Sequence, residues 1–191
     1  MIRRERQAAI MTRPKKFPEY NAERIQKELI EAVTESYEET GELNITAKEF
    51  GLSPLKIREA AIELLHKNRD EDALWSAIIA FQGYPFHTYS GLPFFYKIPV
   101  GRNGLLNKEL LVDRRDKSKS LTWSSVMLAY EKIRELDGQI VEKPKNIGDI
   151  RGITYIYPIF YRFGLIDVPE KVAARMEFLH AADKRQQNRA E

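Results

Sequence analysis

The sequence predicts an α+β protein, with an N-terminal helical unit followed by a small α+β unit that contains an antiparallel hairpin and three helices. From about residue 21 to residue 81, apolar side chains recur at the spacing of amphipathic helices. After Gly83 the pattern changes to an aromatic-rich stretch interrupted by the turn residues Ser90 and Gly91, which indicates a β-hairpin. Helical spacing then returns three times before the C-terminus.

Composition excludes several classes of protein. The chain has 191 residues and no cysteine, which removes disulfides, thiolate metal sites and cysteine nucleophiles together. It has no apolar run long enough to cross a membrane, and no apolar segment follows the basic N-terminus as a secretory signal would require. We therefore expect a cytoplasmic protein that does not contact membranes.

Charge is distributed unevenly along the chain. Residues 1–17 contain six basic residues and one acidic residue, whereas residues 18–42 contain eight glutamates and two basic residues. Residues 73–98 carry the single charge of Lys97, and residues 99–122 carry six basic and three acidic residues. We expect a flexible basic arm over 1–17, a helical domain over 18–72 and an α+β domain over 73–191. The arm fits either contact with phosphates or a solubilising tail.

The helical domain begins with a helix from Asn21, a capping residue, to about Glu39. Two shorter helices joined by a tight turn follow within residues 44–66. Ala47 suits a close helix crossing, and Gly51 four residues later suits a turn that needs positive φ. Ser53 is a suitable N-cap, and Pro54 falls at the first helical position, where a missing N–H does no harm.

This arrangement over residues 21–66 resembles the helix-turn-helix of repressors and resolvase-type DNA-binding domains. The resemblance implies that the second helix lies in the major groove of double-stranded DNA. Residues Lys56 and Arg58 are then expected to contact DNA together with the cap residue Ser53, and Lys48 is expected to contact phosphate. Leu55, where a polar residue is usual, fits either a thymine methyl group or a protein partner.

The next elements follow from local patterns. A fourth helix begins near Asp70, and residues 84–89 and 92–98 form the hairpin. A third strand covers Glu109–Asp113, and a helix runs from about Thr122 to Asp137, before Gly138. Residues 139–142 are expected to form a short strand.

Two helices complete the chain. The first covers roughly Ile153 to Phe163, with Pro158 predicting either a late start or a kink. The last starts from an Asp167 cap with Glu170 three residues on.

A second basic segment precedes the helix expected at Thr122. Arg114, Arg115, Lys117 and Lys119 lie there among serine and threonine residues. Free N–H groups and the helix dipole favour anions at such a position, so these four residues are candidate DNA-phosphate contacts. The alternative is that the hydroxyls only cap the helix. No glycine-rich phosphate loop accompanies them, so no nucleotide cofactor is expected.

Aromatic and histidine residues favour structural roles. Aromatic residues at 84–96 and 155–163 are expected to be core, with base stacking by the hairpin as the alternative and with Tyr157 or Tyr161 partly exposed. The three histidines lack metal-binding spacing, and only His87 lies among residues that suit a pocket. We find no catalytic constellation and expect no enzyme, metal or cofactor.

The sequence therefore favours a DNA-binding regulator of the kind found in phages and mobile elements. Its C-terminal unit is expected to supply a homodimer contact, a partner surface or a second phosphate contact. The alternative is a protein-interaction module or inhibitor that binds a nucleic-acid enzyme.

Overall fold

The computed structural model describes residues 54–102, 106–113, 118–136 and 138–177. Within these ranges, five α-helices and a four-stranded antiparallel sheet form two units, which confirms the predicted α+β class. The first unit contains the described residues up to Gln82 and those within Val100–Leu106, and the second contains Gly83–Pro99 and the described residues from Asn107 onward. The expected domain bounds of 18–72 and 73–191 stay a prediction.

Helix α1 spans Pro54–Asn68 and begins at the proline that the sequence places at the first helical position. Its buried residues recur at helical spacing and form one apolar stripe: Ile57, Ala61, Leu64 and Leu65. The helix ends because Arg69 adopts positive φ, and the Arg69 N–H donates to the carbonyl of Leu65 over 2.9 Å.

Helix α2 spans Glu71–Ala80 and packs against α1 within the first unit. It starts where predicted, because the Asp70 carboxylate accepts a 2.8 Å hydrogen bond from the N–H of Ala73. Glu71 and Asp72 then place negative charge beside the positive end of the helix dipole. Most residues of α2 are buried, so apolar packing is what holds this helix in the first unit.

The second unit is built on a meander in which each strand pairs with the next. Strand β1 spans Phe86–His87, β2 Pro93–Lys97, β3 Glu109–Asp113 and β4 Lys119–Thr122. The predicted hairpin is confirmed, since β1 and β2 pair antiparallel with Phe86 opposite Phe94 and with Gly91 at positive φ in the turn. The third strand also has the predicted bounds.

Three helices cover the sheet of the second unit. Helix α3 spans Trp123–Glu135 and packs on β4, α4 spans Ile153–Arg162, and α5 spans Glu170–Glu177 and packs on β1. Alternation along β2 and β3 buries Tyr96 and Val112, which the register brings opposite each other. The aromatic clusters are mainly core, as predicted. Phe94 meets Tyr155 edge-on with ring centroids 5.0 Å apart.

Three local predictions for the second unit are wrong. Residues 119–122 form a strand rather than a loop, because β3 supplies a complete antiparallel partner for them. Residues 139–142 form no strand, and Ile140 makes a single parallel bridge with Asp167. The last helix starts at Glu170, after Pro169, and not directly after a cap at Asp167. The carbonyl of Asp167 accepts a hydrogen bond from the N–H of Val141.

Pro158 lies inside α4 rather than before it. Across the described ranges, every helix is too short or too polar to span a lipid bilayer.

Candidate nucleic-acid interface and a cleft in the second unit

The exposed face of α1 begins in its first turn. Leu55 and Lys56 are both exposed there, and Glu59 follows one turn later on the exposed side. The buried stripe opposite, which includes Ile57 and Ala61, holds the helix in the first unit and leaves this face uncovered by the described residues of that unit. A lysine in the first turn can reach a phosphate or a base edge, whereas Glu59 would repel a phosphate.

Arg58 is half-buried and does not share that exposed face, which corrects the expected position but leaves its DNA contact a prediction. The Arg58 Nε donates a 3.1 Å hydrogen bond to the carbonyl of Ala80, and its guanidinium lies 5.6 Å from the ring centre of Phe81. The residue therefore ties α1 to the C-terminal end of α2. Helical periodicity does not reveal this role, because the acceptor comes from a different helix.

Several predicted contacts lie outside the described residues. These are Lys48 and Ser53 before α1, and Arg114, Arg115 and Lys117 between β3 and β4.

Lys119 is described and belongs to the paired strand β4, opposite Val112. Strand alternation puts Lys119 on the same face as buried Leu121, and Lys119 is itself half-buried. Lys119 therefore lies in a β-strand and not in the loop that the sequence predicts.

The hydroxyls of the residue before α3 and of its first turn lie within hydrogen-bonding distance of each other. Thr122 Oγ1 lies 3.0 Å from Ser124 Oγ and 3.1 Å from Ser125 Oγ, and Thr122 makes no side-chain cap bond to the helix backbone. Ser120 donates to the carboxylate of Glu109 across the sheet. The side-chain cap that the sequence offers at Thr122 is therefore absent, while contact of this basic segment with phosphate stays a prediction.

The second unit contains a cleft of about 170 Å³ between β1, α4 and α5. Its floor is apolar, since Phe86 and Met176 are almost completely buried. Polar and charged groups stand around this floor. The complete lining consists of Tyr84, Phe86, His87, Pro158, Tyr161, Arg162, Gly164, Met176 and Glu177.

A tyrosine–glutamate pair forms one side of the cleft. The Tyr161 hydroxyl donates a 2.5 Å hydrogen bond to Glu177 Oε1. Burial, and then this hydrogen bond to a carboxylate, raise the pKa of Tyr161 to about 12. The phenol therefore keeps its proton at neutral pH, and Glu177 retains a second carboxylate oxygen as an acceptor.

Arginine and histidine line other parts of the cleft. The Arg162 guanidinium carbon lies over the Tyr84 ring, 5.3 Å from its centre, which is within the range of a cation–π contact. His87 is 4% exposed, and both of its ring nitrogens are buried. The sequence had singled out His87 as the histidine nearest to pocket-forming residues, and the structure places it in this cleft.

The sequence does not indicate Arg162 and Glu177 as site residues, because they come from different helices. They line one cleft with residues of β1 only in the folded protein. The one available signal was the expectation that Tyr157 or Tyr161 stays partly exposed. Tyr161 is indeed half-buried at the cleft, while the fully buried Tyr157 donates a 2.6 Å hydrogen bond to the carbonyl of Val141. In the part of the chain that the structure describes, no cluster of histidine and acidic residues has the form of a metal site.

No protein-family model, curated protein or solved structure matches this chain.

Proposed function

We propose that this protein binds double-stranded DNA through the exposed N-terminal face of α1, as a regulator. The observation that carries the proposal is the start of α1 at Pro54, with Lys56 exposed in the first turn and Ile57 and Ala61 buried behind it. A helix held by one apolar stripe, with a basic residue exposed near its N-terminus, is what insertion into a major groove requires. The resemblance of residues 21–66 to helix-turn-helix proteins supports the same conclusion.

The test compares two lysines of the same helix. Lys56 and Lys67 are both exposed, but they lie at opposite ends of α1, so only Lys56 belongs to the proposed face. We expect Lys56→Ala to weaken binding and to lower the salt-dependence slope by about one, the value for loss of one phosphate contact. Lys67→Ala is the matched control and should leave both quantities unchanged. Arg58 is unsuitable for this test because it stabilises the pairing of α1 with α2.

A substitution at Glu59 should have the opposite effect on DNA affinity. Removing its charge with Glu59→Gln should tighten DNA binding, because a carboxylate one turn from Lys56 repels nearby phosphates. All variants should be measured as the full chain by fluorescence anisotropy with random-sequence duplex DNA at two salt concentrations. The proposal fails if the wild-type protein does not bind duplex DNA at low salt, or if Lys56→Ala and Lys67→Ala weaken binding equally.

A second candidate function, recognition of a protein partner by the same face, is favoured by Leu55. Its side chain is 55% exposed in the first turn of α1, where an apolar residue gains free energy by contacting another protein. If duplex DNA does not bind, a pull-down that compares wild type with Leu55→Ser is the next experiment. A partner lost on this substitution would support the second candidate.

A further inference from the structure

Two opposite charges line the cleft of the second unit without neutralising each other. Arg162 lies at the end of α4 and Glu177 at the end of α5, and both line the same cavity. The two side chains form no ion pair with each other. The cleft therefore offers an anion-binding and a cation-binding group at the same time.

The polar groups are oriented by their neighbours. The Tyr161 hydroxyl donates a 2.5 Å hydrogen bond to Glu177 Oε1, so the phenol oxygen and the second carboxylate oxygen both remain able to accept hydrogen bonds. An ammonium group carries three donors and matches this pair. The Arg162 guanidinium lies over the Tyr84 ring, and the planar N–H donors of a guanidinium suit a carboxylate in bidentate geometry.

The floor and the volume limit the size and polarity of a ligand. Phe86 and Met176 supply an apolar surface below the charged groups. The volume of about 170 Å³ resembles that of the engineered cavity of about 150 Å³ that binds benzene. An apolar body of one ring or one branched aliphatic chain is therefore the appropriate size.

We propose that this cleft binds a small zwitterion of the α-amino-acid class with an apolar side chain. Arg162 holds the carboxylate, Glu177 and the Tyr161 oxygen hold the ammonium group, and the side chain lies on Phe86 and Met176. The cleft belongs wholly to the second unit, and its test involves no DNA. The binding site therefore stands or falls independently of the proposed DNA-binding function.

The first experiment uses wild-type protein and ligands that differ by one charge. Isothermal titration calorimetry of the full chain is made with L-phenylalanine and L-leucine, and with 3-phenylpropionate and phenethylamine. The last two keep the phenyl ring of phenylalanine but lack the ammonium group or the carboxylate. We expect one or both amino acids to bind, and each single-charge analogue to bind roughly tenfold or more weakly than phenylalanine, since each loses a charge-assisted interaction.

The second experiment removes the charges from the protein. Arg162→Gln and Glu177→Gln should each weaken amino-acid binding roughly tenfold or more. Arg134→Gln and Glu131→Gln are matched controls, because both residues are exposed on α3 and neither lines the cleft. The controls should bind like wild type, and circular dichroism establishes that each variant is folded.

Three results would overturn the proposal. They are failure of wild-type protein to bind either amino acid at millimolar concentration, equal affinity for phenylalanine and its single-charge analogues, and unchanged affinity in folded Arg162→Gln or Glu177→Gln. If a variant does not fold, the analogue series on wild-type protein still decides the question.

Discussion

At the scale of single residues, Gly152 illustrates how a backbone position restricts the sequence. It precedes α4 with φ of 82°, and a Cβ atom added there would collide with the side chain of Leu121. Gly91 in the β1–β2 turn has the same φ, but an added Cβ atom would meet nothing within 4 Å. The pair therefore separates the cost of left-handed backbone from the cost of overpacking.

We expect Gly152→Ala to destabilise the protein by about 2–5 kcal/mol, the sum of a left-handed backbone penalty and an overpacking penalty. Gly91→Ala should cost only the backbone part, about 1–2 kcal/mol. Urea denaturation of both variants and the wild type measures these differences. Equal losses of stability would show that α4 and β4 adjust to the extra methyl group without cost.

Tyr161 makes stability depend on alkaline pH. Its pKa is raised to about 12 in the folded protein, whereas a free tyrosine has a pKa of 10.0. Below pH 10 both states hold the proton, so the shift contributes nothing to pH dependence. Above it, the unfolded chain releases the proton while the folded protein retains it, so the free energy of unfolding falls as pH rises.

Tyr161→Phe should therefore lose less stability than wild type between about pH 10 and about pH 12. Urea denaturation at several pH values in this range provides the measurement. The variant will keep some pH dependence, because burial also raises the pKa of Tyr157. Identical pH profiles for variant and wild type would mean that Tyr161 ionises equally easily in both states.

At the scale of elements, the connection between α1 and α2 depends on one long polar side chain. Arg58 crosses from α1 to the Ala80 carbonyl and the Phe81 ring at the end of α2. The aliphatic stem of an arginine can add packing to the contacts of its guanidinium, so the contribution of Arg58 to stability is larger than its charge alone indicates.

Arg58→Ala should destabilise the protein by about 1–2 kcal/mol, the typical value for loss of a partly buried hydrogen bond and a stacking contact. Lys67→Ala, on an exposed position of the same helix, should change stability by less than about 0.5 kcal/mol. Thermal and urea unfolding measure both effects. Equal stability of the two variants would contradict the structural role given to Arg58.

Elements with local signals were predictable, and elements that depend on a distant partner were not. The Asp70 cap, the turn at Gly91 and the strand Glu109–Asp113 follow from residues within a few positions of each other. Strand β4 has no such signal, because Lys119–Thr122 is mostly polar and becomes a strand only by pairing with β3. The last helix starts two residues later than a cap at Asp167 predicts, because the carbonyl of Pro169 accepts its first hydrogen bonds, from Val172 and Ala173.

At the scale of the whole molecule, the two proposed activities occupy different units. The α1 face belongs to the first unit, and the cleft at Arg162 and Glu177 belongs to the second. The chain thus combines a candidate DNA-binding surface with a candidate ligand pocket. Separate DNA and amino-acid titrations therefore test the two units separately.

The sequence by itself determined the α+β class, most helix starts and the aromatic core, since periodicity, caps and turn residues act over short distances. It also indicated the α1 face, because Pro54 and the apolar spacing after it establish which side of the helix is buried. Only the tertiary structure decided that Arg58 is a packing residue, that Lys119 lies in a strand, and that Arg162 and Glu177 share a cleft. Those outcomes depend on contacts between segments distant in the chain, and such contacts form only when hydrophobic burial brings the elements together.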